Sequence, residues 1–213
     1  MEIIALIFIL IFSVIVHEVA HGLAADYQGD PTPRRAGRLS FNPLVHLDPV
    51  GSFLVPAGLL LMTGGKMAFA WAKPVPINPH NFKNKKYGEA IVGFSGPASN
   101  FALAIIFGLL LRFLIPYNIA EGLYIMFAFI VYINLLLGIF NLIPIPPLDG
   151  SHILFTFFPK FKRKVNFFMQ QYGPFLLFFL ILIIVNFIFP ILLDLINFVF
   201  ELIVSVPLWQ FLG

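Results

Sequence analysis

Residues 3–25 read Ile3-Ile4-Ala5-Leu6-Ile7-Phe8-Ile9-Leu10-Ile11-Phe12-Ser13-Val14-Ile15-Val16-His17-Glu18-Val19-Ala20-His21-Gly22-Leu23-Ala24-Ala25. The first fourteen are apolar apart from Ser13, so this stretch forms either a hydrophobic helix or a buried strand. The full length is about the 20 residues that a bilayer-spanning helix needs. Three ionisable groups, His17, Glu18 and His21, then interrupt it. A charged side chain at the centre of a span costs roughly 2.5 to 3.5 kcal/mol on insertion scales. Polar groups at that depth are expected to have a task or a partner.

Their spacing indicates the task. His17 and His21 are four apart, so on a helix they project from nearly one face, one turn apart. Two imidazoles so placed suit one zinc ion. Glu18 is rotated off that face by roughly 100°, within reach of a water at the metal without being a ligand. His-Glu-x-x-His on a helix is thus a metalloprotease pattern with a mechanism. The competing reading is a chance match whose histidines are satisfied by neighbouring helices.

Composition supports a membrane setting. The chain of 213 residues is 60% hydrophobic and 11% charged, with mean hydropathy +0.95. These values point to an integral membrane protein rather than a soluble one. The 27 Phe suit lipid-facing surfaces, and zero Cys excludes disulfides and thiolate metal sites. The first run has no basic n-region and no small-residue cleavage site, so it reads as a retained span rather than a signal peptide. No repeat, linker or soluble domain is evident, and nucleic acid is not an expected partner. The expectation is one membrane domain over residues 1–213.

Further along, residues 26–50 are rich in turn formers, with a brief alternation at Arg38-Leu39-Ser40-Phe41 that predicts a short membrane-associated β-hairpin. Residues 51–65 are apolar but broken by Pro56, Gly58, Gly64 and Gly65, which suits a re-entrant segment. Residues 66–89 are polar and Pro-rich. Apolar runs follow at 90–115, 121–143, 173–189 and 191–206, with Asn186 and Pro190 marking a turn or kink between the last two. The predicted fold class is all-α and polytopic, with about five spans plus the re-entrant segment and the hairpin. The motif-bearing core is 3–155 and the C-terminal helical pair is 173–206. A re-entrant 51–65 places twelve of the thirteen basic residues on one side, leaving only Arg112 opposite; a full crossing divides them nine against four. The first arrangement satisfies the positive-inside rule and puts His17 and His21 toward the cytoplasmic end of their span.

A two-histidine zinc site needs a further protein ligand. Candidate carboxylates in or near the membrane are Asp149, Asp194 and Glu201. Asp149 follows Asn141-Leu142-Ile143-Pro144-Ile145-Pro146-Pro147-Leu148 and precedes Gly150. Three prolines break the helix there, and irregular backbone at membrane depth is tolerated where it is buried in protein or lines a wet cavity. On spacing alone, a ligand and an ordinary turn aspartate remain equal readings.

His17-Glu18-Val19-Ala20-His21, Gly96-Pro97-Ala98-Ser99-Asn100 and Asn141 through Gly150 together resemble the three motifs of the site-2 proteases, which are intramembrane zinc metalloproteases. The resemblance covers roughly residues 5–155 in the right order. His46-Leu47-Asp48-Pro49-Val50-Gly51 and Trp71-Ala72-Lys73-Pro74-Val75-Pro76 resemble the short prokaryotic branch without added domains. The resemblance implies one zinc held by His17, His21 and Asp149, with Glu18 as general base. It assigns Asn141 and Asn100 to the substrate, a transmembrane protein or peptide in the lipid bilayer. It implies a multi-pass protein of the inner membrane. An Asn amide offers donors and an acceptor to an unwound peptide, whereas its structural role would be a cap or a tie between helices. Gly96 and Pro97 are expected to shape the start of their span and permit close packing. His46 or His80 could contact zinc or gate the site, but these two, with Asp48 and His152, are expected to be structural or on loop surfaces, Trp71 and Lys73 to anchor at the interface, and Lys160 to Lys164 to lie near anionic lipid heads. The rival class is a zinc-binding membrane transporter or sensor without hydrolysis, which Glu18→Gln discriminates. A lipid or small-molecule hydrolase and an inactive scaffold are further alternatives.

Overall fold

The computed structural model describes residues 2–62, 64, 72–117, 120–165, 167–168, 171–172 and 184–212. The α-helices that build the fold are α1 (Glu2–Tyr27), α2 (Thr32–Arg35), α3 (Val55–Met62), α4 (Gly88–Leu114), α5 (Glu121–Asn141), α6 (Gly150–Phe157), α7 (Phe189–Val204) and α8 (Trp209–Leu212). Four helical stretches are long and apolar enough to cross a membrane: Ile4–Tyr27, Gly88–Tyr117, Glu121–Asn141 and Asn186–Val204. At 1.5 Å per residue each reaches about the 30 Å of a hydrocarbon core. The protein is an all-α, multi-pass membrane protein.

The central helix is α4, which packs on α1, α5, α6 and α7. Two different kinds of interface result. Between α4, α5 and α7 lies an apolar core of Ala104, Leu111, Val131, Leu135, Ile196 and Phe200. Between α1, α4 and α5 the buried groups are polar: Ser13, His17, Asn100 and Asn134. The outward faces of α1 and α4 carry Ile7, Phe8, Phe12, Ile106, Leu109 and Phe113, all exposed. They need no aqueous cover in a bilayer, where lipid tails are as apolar as these side chains.

The short strand expected at Arg38–Phe41 is absent: these residues are coil and bend, and no strand occurs among the described residues. The reason lies in Arg38. Its guanidinium is buried and donates to the main-chain oxygens of Val45, Lys73 and Pro74. The His46 ring Nε2 reaches Ser40 O at 2.7 Å, and Lys73 N donates to His46 O at 2.8 Å. Side-chain ties therefore hold this loop where ladder bonds would hold a hairpin.

Residues 49–62 form a π-turn (Pro49–Leu54) leading into α3. Asp48 opens this segment by accepting from Gly51 N at 2.6 Å. Fourteen helical residues rise about 21 Å, less than a bilayer core. Trp71 and residues 63 and 65–70 lie outside the described residues, as do residues 173–183 of the expected fifth span. At the other end of that run, Ile184–Ile188 is a π-turn continuous with α7. Pro190 sits in the first turn of α7, where a missing N–H costs no helical bond. Asn186 and Pro190 thus both lie within one helical stretch, and residues 173–183, on the far side of the expected turn or kink, lie outside the described residues.

Candidate metal centre

His17 and His21 lie on one face of α1, with ring centroids 4.6 Å apart and planes at 84°. Their Nε2 atoms are 3.0 Å apart. Asp149 arrives from the proline-rich bend between α5 and α6. Its Oδ2 lies 3.0 Å from His17 Nε2 and 3.3 Å from His21 Nε2. Asp149 occupies the N-cap position of α6, yet its side chain makes no capping bond. The carboxylate is turned to the imidazoles instead. Asp194 and Glu201 are exposed on α7, and among the described residues His17, His21 and Asp149 form the one cluster able to hold a metal.

Two glycines permit this convergence. A Cβ on Gly96 would collide with the Nε2 atoms of both His17 and His21, so α4 can pass the rings only without a side chain there. A Cβ on Gly150 would overlap the Leu142 and Ile143 carbonyls. That close return brings Asp149 back beneath the end of α5.

The second nitrogen of each ring fixes which atom faces the cluster. His21 Nδ1 is 2.7 Å from Val92 O, a pure acceptor, so Nδ1 carries the proton. His17 Nδ1 is 2.6 Å from Asn100 Oδ1, again an acceptor. In the neutral rings both Nε2 atoms therefore present lone pairs. Two such lone pairs and a carboxylate oxygen then meet within 3.3 Å. Such a set is suited to hold a cation. At zinc–ligand distances of about 2.0–2.1 Å, the edge of a tetrahedron is about 3.3 Å, and the three observed separations sit close to it. Zinc fits the donors: two imidazoles, one carboxylate, and a fourth position open.

The three residues open onto a cavity of about 410 Å³. His17, Glu18, His21, Asn141 and Asp149 line it, and its wall on the loop side is Pro74, Val75, Ile77 and Pro79. Glu18 is partly buried, and its Oε2 accepts from Val75 N at 3.0 Å. Arg38 grips the carbonyls immediately before Val75. Asp30 secures the same stretch from the other end: it accepts from Asn78 N at 2.7 Å, Asn81 Nδ2 at 2.8 Å, Thr32 Oγ1 at 2.5 Å and Thr32 N at 3.1 Å. Burial pushes the Asp30 carboxyl up, but these donors outweigh it and hold it below its ordinary pKa.

Asn141 lines the cavity, with its Nδ2 donating to Leu137 O at 3.0 Å. Asn100, expected at the substrate, is fully buried and does not line the cavity; its amide is turned to His17. His46 is buried in the Arg38 loop and His80 is exposed beyond the cavity wall. His152 is exposed at the rim, near Glu89, whose carboxylate pairs with Lys162 at 2.5 Å. Arg38, Asp30, Ser13 and Asn134 escaped the sequence reading. Of these, only the two intramembrane residues carried a signal: a polar side chain inside an apolar run.

Similarity to known proteins points the same way. The model of peptidase family M50 matches residues 117–185. A putative zinc metalloprotease YwhC from Bacillus subtilis is 37% identical over 174 residues, covering 79% of this chain and 75% of the relative. A putative zinc metalloprotease Rip2 from Mycolicibacterium smegmatis is 30% identical over 143 residues, covering 66% of this chain and 52% of the relative. Protease RseP from Photorhabdus luminescens shares 54% identity over 39 residues, 18% of this chain and 16% of its own. No solved structure matches. A relative this similar over three quarters of both chains, with a zinc-ready cluster inside a helical membrane protein, leads to one assignment: the chain belongs to peptidase family M50, the site-2 proteases, and is a zinc metalloprotease of the membrane.

Proposed function

We propose that this protein hydrolyses a peptide bond within or near a transmembrane segment of a membrane-protein substrate. In this reading His17, His21 and Asp149 hold the zinc and Glu18 is the general base. The observation that carries it is the convergence of three lone-pair donors beside a carboxylate that lines the same cavity without joining them. Zinc, when bound there, lowers the pKa of a water toward 7 and polarises a carbonyl. Glu18 takes the proton from the attacking water and returns it to the leaving amine. Its Oε2 bond to Val75 N keeps the carboxylate oriented toward the cavity while the other oxygen serves the proton. Asn141 pairs with the backbone of the unwound substrate, whose exposed amides and carbonyls would otherwise be costly in an apolar setting.

Residues 1–213 act as one membrane domain, with the motif-bearing core at about 3–155. Residues 51–65 dip into the bilayer and return, which the 21 Å helical rise favours. The cavity opens among the loops that carry Lys73, Lys83, Lys85 and Lys162, so positive-inside orientation puts it toward the cytoplasm of a cell whose inner membrane holds the protein. The test is cleavage of a transmembrane-segment peptide by the purified protein in detergent. Wild type cleaves, and Glu18→Gln binds zinc but does not cleave. Equal function of the two would favour a zinc transporter or sensor.

A further inference from the structure

His21 reaches a main-chain carbonyl directly, but His17 does so only through other side chains. Asn100 Oδ1 accepts from His17 Nδ1, and Asn100 Nδ2 donates to Asn134 Oδ1 at 2.9 Å, with Ser13 O at 3.4 Å. Asn134 Nδ2 donates to Ser13 Oγ at 2.9 Å and to Ile130 O at 2.9 Å. Asn100 and Asn134 have no exposed surface, and Ser13 has 1%. Three polar side chains from three spanning helices meet where lipid surrounds the bundle, and each such group is expensive there unless paired.

The direction of the chain follows from its far end. Ile130 O can only accept, so the Asn134 amide must turn its NH₂ toward it and its Oδ1 toward Asn100. Asn100 must then turn its own NH₂ toward Asn134 and its Oδ1 toward His17. His17 must carry its proton on Nδ1, and Nε2 is left with a lone pair facing His21 and Asp149. Without Asn134, Asn100 Nδ2 keeps only the long 3.4 Å contact to Ser13 O, and the flipped amide becomes accessible. A flipped amide presents NH₂ to Nδ1, favours the opposite tautomer, and puts a hydrogen where the metal belongs.

We propose that Asn134, assisted by Ser13, is a positioning residue that acts through Asn100 to fix the His17 tautomer for metal binding. This rests on the metal reading above. It removes Asn100 from the substrate and adds two residues, from the apolar runs of α1 and α5, to the machinery of the site. Outer partners of metal-bound histidines are commonly worth roughly 10- to 100-fold in metal affinity.

The test is a double-substitution cycle on the full-length protein in detergent, read as zinc affinity by chelator competition. Asn134→Leu is expected to weaken zinc about 10-fold. Asn100→Asp supplies an acceptor at both oxygens, so it has no amide orientation to set. In that background Asn134→Leu is expected to cause no loss, or a gain from removing Asn134 Oδ1 from beside a carboxylate. A loss of the same size in both backgrounds means that Asn134 acts through packing and overturns the proposal. An unchanged affinity for Asn134→Leu alone also overturns it. If Asn134→Leu fails to fold, Asn134→Ala runs the same cycle, with the same loss expected in wild type only and an equal or absent loss overturning the proposal. His17→Ala distinguishes the two levels: zinc retained without His17 overturns the metal reading itself, and the relay with it.

Discussion

The Nε2 atoms of His17 and His21 stand 3.0 Å apart while each ring's Nδ1 is already committed to an oxygen acceptor. In the neutral rings two lone pairs face each other with the Asp149 oxygen beside them, an arrangement that a cation between them relieves. On the proposed ligand set, a bound metal would be part of what holds α1 to the bend after α5, so that the site and the fold would share one interaction.

Chelation is accordingly expected to destabilise the protein. A ligand that binds only the folded state stabilises it by about 2.7 kcal/mol at 100 times its dissociation constant. Adding a strong chelator should lower the melting temperature of wild type in detergent, and zinc should restore it. His21→Ala should show neither response. A wild-type melting curve indifferent to chelator would contradict the account.

Glu18→Gln should separate chemistry from binding. The amide cannot take a proton, so turnover should fall by about 10² to 10⁴. Zinc content should be unchanged, since Glu18 is bonded to Val75 N and not to the cluster. Metal analysis and peptide cleavage on the same preparation give both values.

Gly96→Ala should cost more than a methyl group on a helix usually does. The added Cβ falls on the imidazole nitrogens of both histidines. Overpacking of this kind costs about 1–3 kcal/mol, and relief requires α4 to back away from α1. We expect a lower melting temperature together with reduced zinc content. Gly122→Ala, with nothing within 4 Å of the new atom, is the control and should be neutral.

Asp30 sets a pH limit. Its folded pKa is depressed by donors from Asn78, Asn81 and Thr32. A depressed carboxyl stabilises the fold above its unfolded pKa of about 3.9 and loses that contribution as pH falls through the lower folded value. Asp30→Asn should thus lower stability at pH 7, by about 1.5–3 kcal/mol for bonds to a charged group. The gap from wild type should narrow below pH 4. A gap independent of pH would show that the charge is not what matters.

How much of this was visible in the chain follows from where each interaction is encoded. The i, i+4 pair His17 and His21 is local, so helical periodicity alone places both rings on one face. Asp149 could be singled out because three prolines and Gly150 announce a bend, although spacing left a turn residue equally open. Asn134 and Ser13 looked like isolated polar residues in apolar runs, because their partners are 34 and 121 positions away. Arg38 looked like one more loop cation, since ties to main-chain carbonyls leave no residue pattern. The alternation at Arg38–Phe41 was too short to outweigh those ties, so the expected hairpin is a side-chain-bonded loop.

The most direct test of the central claim is zinc-edge X-ray absorption on the purified protein and on Asp149→Ala. The account predicts one zinc with two imidazole nitrogens and a carboxylate oxygen at about 2.0–2.2 Å, and loss of zinc or of that oxygen in the variant. A wild-type spectrum retained unchanged by Asp149→Ala would contradict it.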